Sequence, residues 1–403
     1  MTLHQLPAQS VPILADLDVV IIGGTMAGLA GALKFAQQGK KVMVVESRTY
    51  LGSDLTATLS PWITIPQGTK ASLIDSCVKS CGKTISTEHS QSVVFHVDRL
   101  KIQLEEELLS AGIQLLYCSM PIGMINLADK RRGLIIANKS GRQLIRCRGI
   151  VDATETAITT FFAGSKIAAL GNSSHSCYKR VLEFSNVGEI SQAEWEVPLE
   201  LGIKDNKVKL YKGYHENGHF YVEYHLELPS ENNLTANQKR EYTAQKLGIE
   251  IAEYLVHHIP AFNKALLCAG SYELKGPYPV KPAGQPTDQY IHIEKLTVSP
   301  NVWSFYKDVH ENVNTDWLDP VKSAVLAEQF AEQVKDLPFQ GQQTIKESIQ
   351  VPDDIQSYEF NIPTCFLECK VEYGDVPKQE IYLSKRAQVL VAGGGSSGAS
   401  ASI

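Results

Sequence analysis

Apolar positions change their spacing several times along the chain, and the first change is the most informative. Residues 18–22 (DVVII) are a short, largely apolar run suited to a buried parallel strand. Gly23-Gly24-Thr25-Met26-Ala27-Gly28 interrupts it as a turn, and residues 26–38 have helical spacing. Gly39 ends that helix, residues 42–45 form a second apolar run, and Glu46 sits at its tip. The order strand, glycine turn, helix, strand is one complete β–α–β unit. A glycine turn lets backbone approach a pyrophosphate, whose charge meets the first N–H groups of the helix. An acid ending the second strand accepts hydrogen bonds from an adenosine ribose, and Glu46 lies 23 residues after Gly23, where that role requires it. One position departs: Thr25 stands where G-x-G-x-x-G has its second glycine. Its side chain either clashes with a pyrophosphate or donates a hydrogen bond to it.

Further along, residues 47–62 read as a loop rich in small and hydroxylated residues, and 61–92 have little pattern. Residues 96–111 form an amphipathic helix with Leu100, Leu104 and Leu108 on one face, ended by Gly112. IQLLYCSM enters a strand. PIGMINL, GLIIANK and RQLIRCR form a β-meander with turns at DKRRG and KSG, and GIVDATET is a further strand feeding a helix that ends at Ala163-Gly164. Residues 1–174 thus make the first part of a Rossmann-like α/β domain. Residues 175–290, with alternating aromatic-rich strands around 207–228 and a long helix near 235–258, make an α+β substrate or cap domain. The strand SPNVWSFYKD and the helix WLDPVKSAVLAEQFAEQVKDL return the chain, over 291–338, to the first domain. Residues 339–386 form a small module or linker. Residues 387–403 (AQVLVAGGGSSGASASI) repeat the strand and glycine turn and stop within the next helix. This reads as the start of a second dinucleotide-binding repeat in a longer tandem protein; the other reading is a Gly/Ser-rich tail.

Bulk properties narrow the picture by exclusion. A formal charge of −6 over 403 residues, with no basic stripe, gives no sign of a nucleic-acid partner. Lys130-Arg131-Arg132 reads as a solvated hairpin turn. No apolar stretch approaches the roughly 18 residues of a membrane span, and the first residues do not resemble a secretory signal, so a cytoplasmic location is expected. Eight dispersed cysteines fit reduced thiols. The C-x3-C pairs Cys77/Cys81 and Cys365/Cys369 match neither a redox centre nor a common zinc knuckle. His215, His219 and His225 follow strand alternation, and no metal site is expected. GGTMAG lacks the Lys-Ser/Thr ending of a phosphate-hydrolysing loop.

These pieces resemble the FAD-dependent oxidoreductase family with a glutathione-reductase-like FAD domain. VIIGGTMAGLAGALKFAQQGKKVMVVESRTYLGS is similar to the family pattern VxGGGxAGxxAAxxAAxxGxxVxLxExxxxLGG, and GIVDATETAITTFFAG to xxIDATGDGDLAxxAG. The helix and strand HVDRLKIQLEEELLSAGIQLLY fall where the family has theirs. The resemblance implies FAD, with Gly23, Gly24 and Gly28, and the intervening Thr25, Met26 and Ala27, around the pyrophosphate. It implies Glu46 on the adenosine ribose, and Arg48 and Gly52 along the adenine and ribityl path. It further implies Ile122 at adenine, Ala153 and Thr154 beside the nucleotide, and Asp308 near the ribityl hydroxyls. Four positions depart from the pattern: Thr25 and Ser53 replace glycines, Glu155 replaces the glycine of ATG, and Tyr306 falls where a glycine should flank the flavin.

Catalytic residues are not assigned by any motif. His175, Tyr306 and His310 are candidates near the cleft, and the helix after Asp319-Pro320 could aim its dipole at a flavin ring. Three function classes follow. The first is an FAD-dependent oxidoreductase of a small organic substrate. The second is a degenerate flavoprotein-like module without catalysis that supports a true FAD domain starting near Val389; besides a small-molecule substrate, the candidate partners are that second repeat or further copies of the chain in a homo-oligomer. The third is an NAD enzyme, which Glu46 permits and the β-meander disfavours.

Overall fold

The computed structural model describes residues 2–6, 8–86, 91–164, 175–230, 234–278, 291–312, 315–335, 373–377 and 379–383. The chain opens with strands β1 (Thr2–Leu6) and β2 (Gln9–Ile22). The second is far longer than its apolar run, because its first half alternates exposed and covered positions before the last four become fully buried. Helix α1 (Met26–Gln37) follows the glycine turn, and β3 (Val42–Val45) pairs parallel with β2. The expected loop over 47–62 contains the short helix α2 (Ser53–Thr56), and the poorly patterned 61–92 with the residues just after it hold β4 (Trp62–Ile65), α3 (Ser72–Cys81), β5 (Gly82–Ser86) and β6 (Gln91–Phe95). Each is too short to display a period of its own. β4, β6 and β5 make a small antiparallel sheet.

Helix α4 (Val97–Ser110) buries Leu100, Leu104 and Leu108, as their spacing predicts. β7 (Gln114–Leu116) adds to β3 in parallel. The meander is β8 (Met120–Asn126), β9 (Arg132–Asn138) and β10 (Gly141–Asp152). Here the expectation of a separate GIVDATET strand is corrected. β10 is continuous: residues 141–147 pair antiparallel with β9, 144–152 pair parallel with β2, and 150–152 add a later parallel strand on the side β9 has left. Helix α5 (Ile158–Phe162) ends at Ala163.

A second sheet follows, built from β11 (His175–Ser185), β12 (Glu194–Glu196), β13 (Lys207–Lys212), β14 (Phe220–Pro229), β15 (Leu266–Gly270) and β16 (Lys275–Tyr278). All its pairings are antiparallel, in the order β12-β13-β14-β11-β15, with β16 also on β11. The long helix α6 (Leu234–His258) covers one face, and its own apolar core includes Leu182, Phe184, Val222, Tyr224, Ile251 and Leu255.

The chain returns through α7 (Ile293–Leu296), β17 (Thr297–Ser299) and β18 (Val302–Ser304) to pair with β10. Of SPNVWSFYKD only Ser299, the end of β17, and Val302–Ser304 are strand. Phe305, Tyr306 and Val309 are buried at helical spacing and begin α8 (Phe305–Asn312), so the expected longer strand is corrected. Helix α9 (Pro320–Val334) is capped by Asp319. β19 (Tyr373–Val376) pairs with the start of β2, and β20 (Gln379–Leu383) with β1. The central sheet therefore runs β17-β18-β10-β2-β3-β7. Helices bury one face through Ile21, Val44, Leu29 and Phe330, while Val20, Val45, Leu134 and Ile145 fill the other. A parallel core covered on both faces accounts for the continuous apolar runs. The strand and glycine turn in 387–403 lie outside the described residues.

Candidate cofactor and active site

The glycine turn sits at the carboxyl end of β2, where open α/β sheets bind ligands. Gly23 adopts φ +96°, and a side chain on it would press at 3.1 Å against the Ala153 carbonyl. A Cβ on Gly28 would come within 2.3 Å of the Gly23 oxygen. Both positions thus demand glycine for packing as much as for ligand approach. Thr25 caps α1: its hydroxyl accepts from the Gly28 amide at 3.3 Å and donates to the Ala153 carbonyl at 3.1 Å. The departure from glycine is therefore used inside the fold.

Glu46 is buried at the tip of β3. One carboxylate oxygen accepts from the Gly24 amide at 2.6 Å; the other accepts from Ser47 Oγ at 3.0 Å and the Arg48 amide at 2.8 Å. Arg48 Nη1 lies 3.0 Å from Glu46, while its Nε donates at 2.8 Å to Glu273 beyond β15. This bridge joins the first unit to the second. Asp152, fully buried, accepts from the amides and hydroxyls of Thr154 and Thr159 at 2.6–2.9 Å. It folds the VDATET turn, at which Thr154 and Glu155, both half-buried, border a cavity.

These groups line one cavity of about 520 Å³. Gly23, Thr25, Glu46, Arg48, Ser53, Thr154 and Glu155 form its first wall; Ser176, Tyr178, Arg240, Glu273 and Gly276 form the second. Arg240 lies over the Tyr178 ring, 5.5 Å from its centroid. Gly24, Met26, Ala27, Gly28, Gly52 and Ala153 are buried behind the first wall. Ile122 is exposed on β8 and does not line the cavity, which Met120 and Pro121 border instead. The register of β8 against β9 shifts between Pro121 and Gly123, so regular alternation is interrupted at Ile122. His175 is exposed at the start of β11, outside the lining. The side chains of Asp308 and His310 lie outside the described residues. Asp319 accepts from the Val321 and Lys322 amides at the start of α9, and neither it nor Pro320 borders the cavity.

Behind the lining lies an ionisable cluster that no motif announces. Asp54 is 3% exposed, and both its oxygens accept from the Met26 amide, at 3.1 and 3.3 Å. Lys275, 5% exposed, donates to the Asp54 backbone carbonyl at 3.1 Å. Burial raises the Asp54 carboxyl against the pull of Lys275. Burial also pushes Glu155 up to about 7, with Lys275 opposing and Asp54 adding to the rise. Lys179 is lowered by burial and by Lys275, despite its ion pair with Glu223 at 2.9 Å. Tyr306 is buried in the first turn of α8 within hydrogen-bond reach of Thr25, and burial drives its phenol far above its usual range. Sequence reasoning missed Asp54, Lys275, Tyr178, Arg240 and Glu273. Of the cluster, only Glu155 and Tyr306 carried a signal, as departures from the glycine pattern. Among the described residues no group of His, Cys, Asp and Glu could hold a metal.

The parallel sheet, glycine turn and terminal acid define a dinucleotide-binding protein of the flavoprotein type. A family model described as FAD dependent oxidoreductase matches residues 18–264, and the chain belongs to that family. FAD is accordingly its cofactor. No curated protein matches the chain in sequence. Among solved structures, a geranylgeranyl bacteriochlorophyll reductase-like protein from Thermoplasma acidophilum is 14% identical, with 79% of each chain covered and a TM-score of 0.52. The p-nitrophenol 4-monooxygenase PnpA from Pseudomonas putida is 13% identical over 79% of each chain, with a TM-score of 0.49. At such identities the likeness is one of fold. No helix among the described residues is long and apolar enough to cross a membrane.

The residues fit FAD at the adenosine end, where Glu46 and the glycine turn border open cavity. At the diphosphate end they fit once the Asp54 carboxylate leaves the Met26 amide, since one N–H cannot serve two anions.

Proposed function

We propose that the chain is an FAD-dependent oxidoreductase acting on a small organic substrate, admitted between the glycine-turn wall and the second sheet. The observation that carries this reading is the shared cavity, bordered by Gly23 and Glu46 on one side and by Tyr178 and Arg240 on the other. Bound FAD supplies the capacity to accept a hydride. Glu46 would hold the ribose by accepting its hydroxyl hydrogens, and Gly23, Gly28 and Thr25 keep the turn in shape beneath it. The Arg48–Glu273 bridge ties the two walls together at that side of the cavity. Arg240, set over Tyr178, offers a cation to an acidic or π-rich part of a substrate. Glu155 borders the cavity and titrates near neutrality, so at its carboxyl a proton can be either taken or given at working pH.

The visible spectrum of the purified full chain tests this reading. The two-band absorption of oxidised flavin, present as isolated or after adding FAD and removing the excess, is the expected result. A colourless protein that takes up no added FAD would favour a scaffold without catalysis.

A further inference from the structure

The diphosphate end of the cavity is built around a carboxylate that belongs to the chain itself. Asp54 is the second residue of α2, and its side chain is buried with both oxygens turned to Met26 N. Met26 is the first helical residue of α1, so its amide belongs to the positive end of a twelve-residue helix. That amide is among the donors an incoming diphosphate would use. Lys275 Nζ and the Thr58 hydroxyl both donate to the Asp54 backbone carbonyl, at 3.1 and 2.8 Å, and leave the carboxylate committed to the helix. Glu46, by contrast, borders the open part of the cavity, so an adenosine could dock there without disturbing Asp54.

We infer that Asp54 determines how tightly this chain holds a nucleotide diphosphate, by occupying the Met26 amide until the diphosphate displaces it. The inference rests on the proposal that the cavity takes the adenosine diphosphate half of FAD. Displacement has a structural route. Ser53 and Thr58, on either side of Asp54, already border the cavity. Lys275 and Arg48 are the cations whose charge reaches the carboxylate from the neighbouring segments, ready to balance it in a new position. The site is thereby selective by charge: the nucleoside leaves the Asp54–Met26 contact in place, whereas each diphosphate must first undo it.

Titration calorimetry of the full chain with adenosine, ADP and FAD separates these steps, using wild type, Asp54→Asn and Asp54→Ala. Circular dichroism and thermal melting identify the variants that remain folded. Adenosine should bind all folded forms alike. The gain in affinity from adenosine to ADP should be at least about tenfold larger in the variants than in wild type, and FAD should follow ADP. An equal ADP gain in all forms, or a loss of ADP binding in both folded variants, would overturn the role of Asp54 while leaving the nucleotide site standing. Failure of adenosine, ADP and FAD to bind any folded form would instead overturn the nucleotide site, and the inference with it.

Discussion

The glycine turn and the Asp54–Glu155–Lys275 cluster meet at one end of the parallel sheet, and they are built by opposite means. The turn is a short run of neighbours in sequence, and its hydrogen bonds join its backbone and the Thr25 hydroxyl to Val45, Glu46, Gly52, Asp54 and Ala153. The cluster draws on α2, the loop after β10, and β16; Asp54 and Lys275 are buried, Glu155 is half-buried at the cavity wall, and charge acts among all three. The turn tolerates little change of shape; the cluster tolerates little change of charge. The comparison teaches that a flavoprotein-type fold can keep its phosphate-facing backbone intact while the space around it is filled with ionisable groups of its own.

The largest effect should come from breaking the charge balance. Lys275→Met leaves Asp54 and Glu155 without the nearest buried cation, and an uncompensated buried charge typically costs about 3–5 kcal/mol. Urea unfolding at neutral pH should register that loss, and a change below about 1 kcal/mol would mean that the cluster is effectively solvated. On the turn side, Gly28→Ala drives a methyl towards the Gly23 oxygen, and overpacking of this kind costs about 1–3 kcal/mol. The same unfolding experiment reads it. A neutral outcome would show that the turn can shift, weakening the claim that its shape is fixed.

A finer probe is pH. Glu155 is pushed from 4.5 up to about 7 in the folded chain, so between those values the native state binds more protons than the unfolded one. Its contribution to stability is therefore greatest below about 4.5, declines as pH rises towards about 7, and is constant above. Asp54, raised in the same direction by burial, adds a slope of the same sign. Glu155→Gln should flatten part of the decline, so that variant and wild type diverge more at pH 8 than at pH 5. Parallel curves would place Glu155 in water.

The same contrast explains what could be read from the residues alone. The β–α–β unit was legible because its strands, glycines and terminal acid are close in sequence and each obeys a local rule. α4 was legible because Leu100, Leu104 and Leu108 repeat at helical spacing, and α6 and the 207–228 strands because long elements show their period. Residues 61–95 hid four elements, each too short for its spacing to stand out. GIVDATET looked separate because Gly149 falls where β10 exchanges antiparallel β9 for parallel β18, while β2 stays on its other side. Asp54 and Lys275 are 221 residues apart and meet only through the packing of the second sheet on the first unit. Thr25 posed a clear question, clash or phosphate donor, and the structure gives it a third role as helix cap. Tyr306 and Glu155 were visible as departures, but their burial beside Asp54 depends on tertiary placement.

The central claim is that the cavity beside Glu46 takes FAD. Equilibrium dialysis of the full chain against FAD, beside Glu46→Gln, tests it most directly. The account predicts saturable uptake approaching one flavin per chain, weakened about tenfold when the ribose acceptor loses its charge. Absence of uptake by folded wild type at saturating FAD, or uptake indifferent to Glu46, would contradict it.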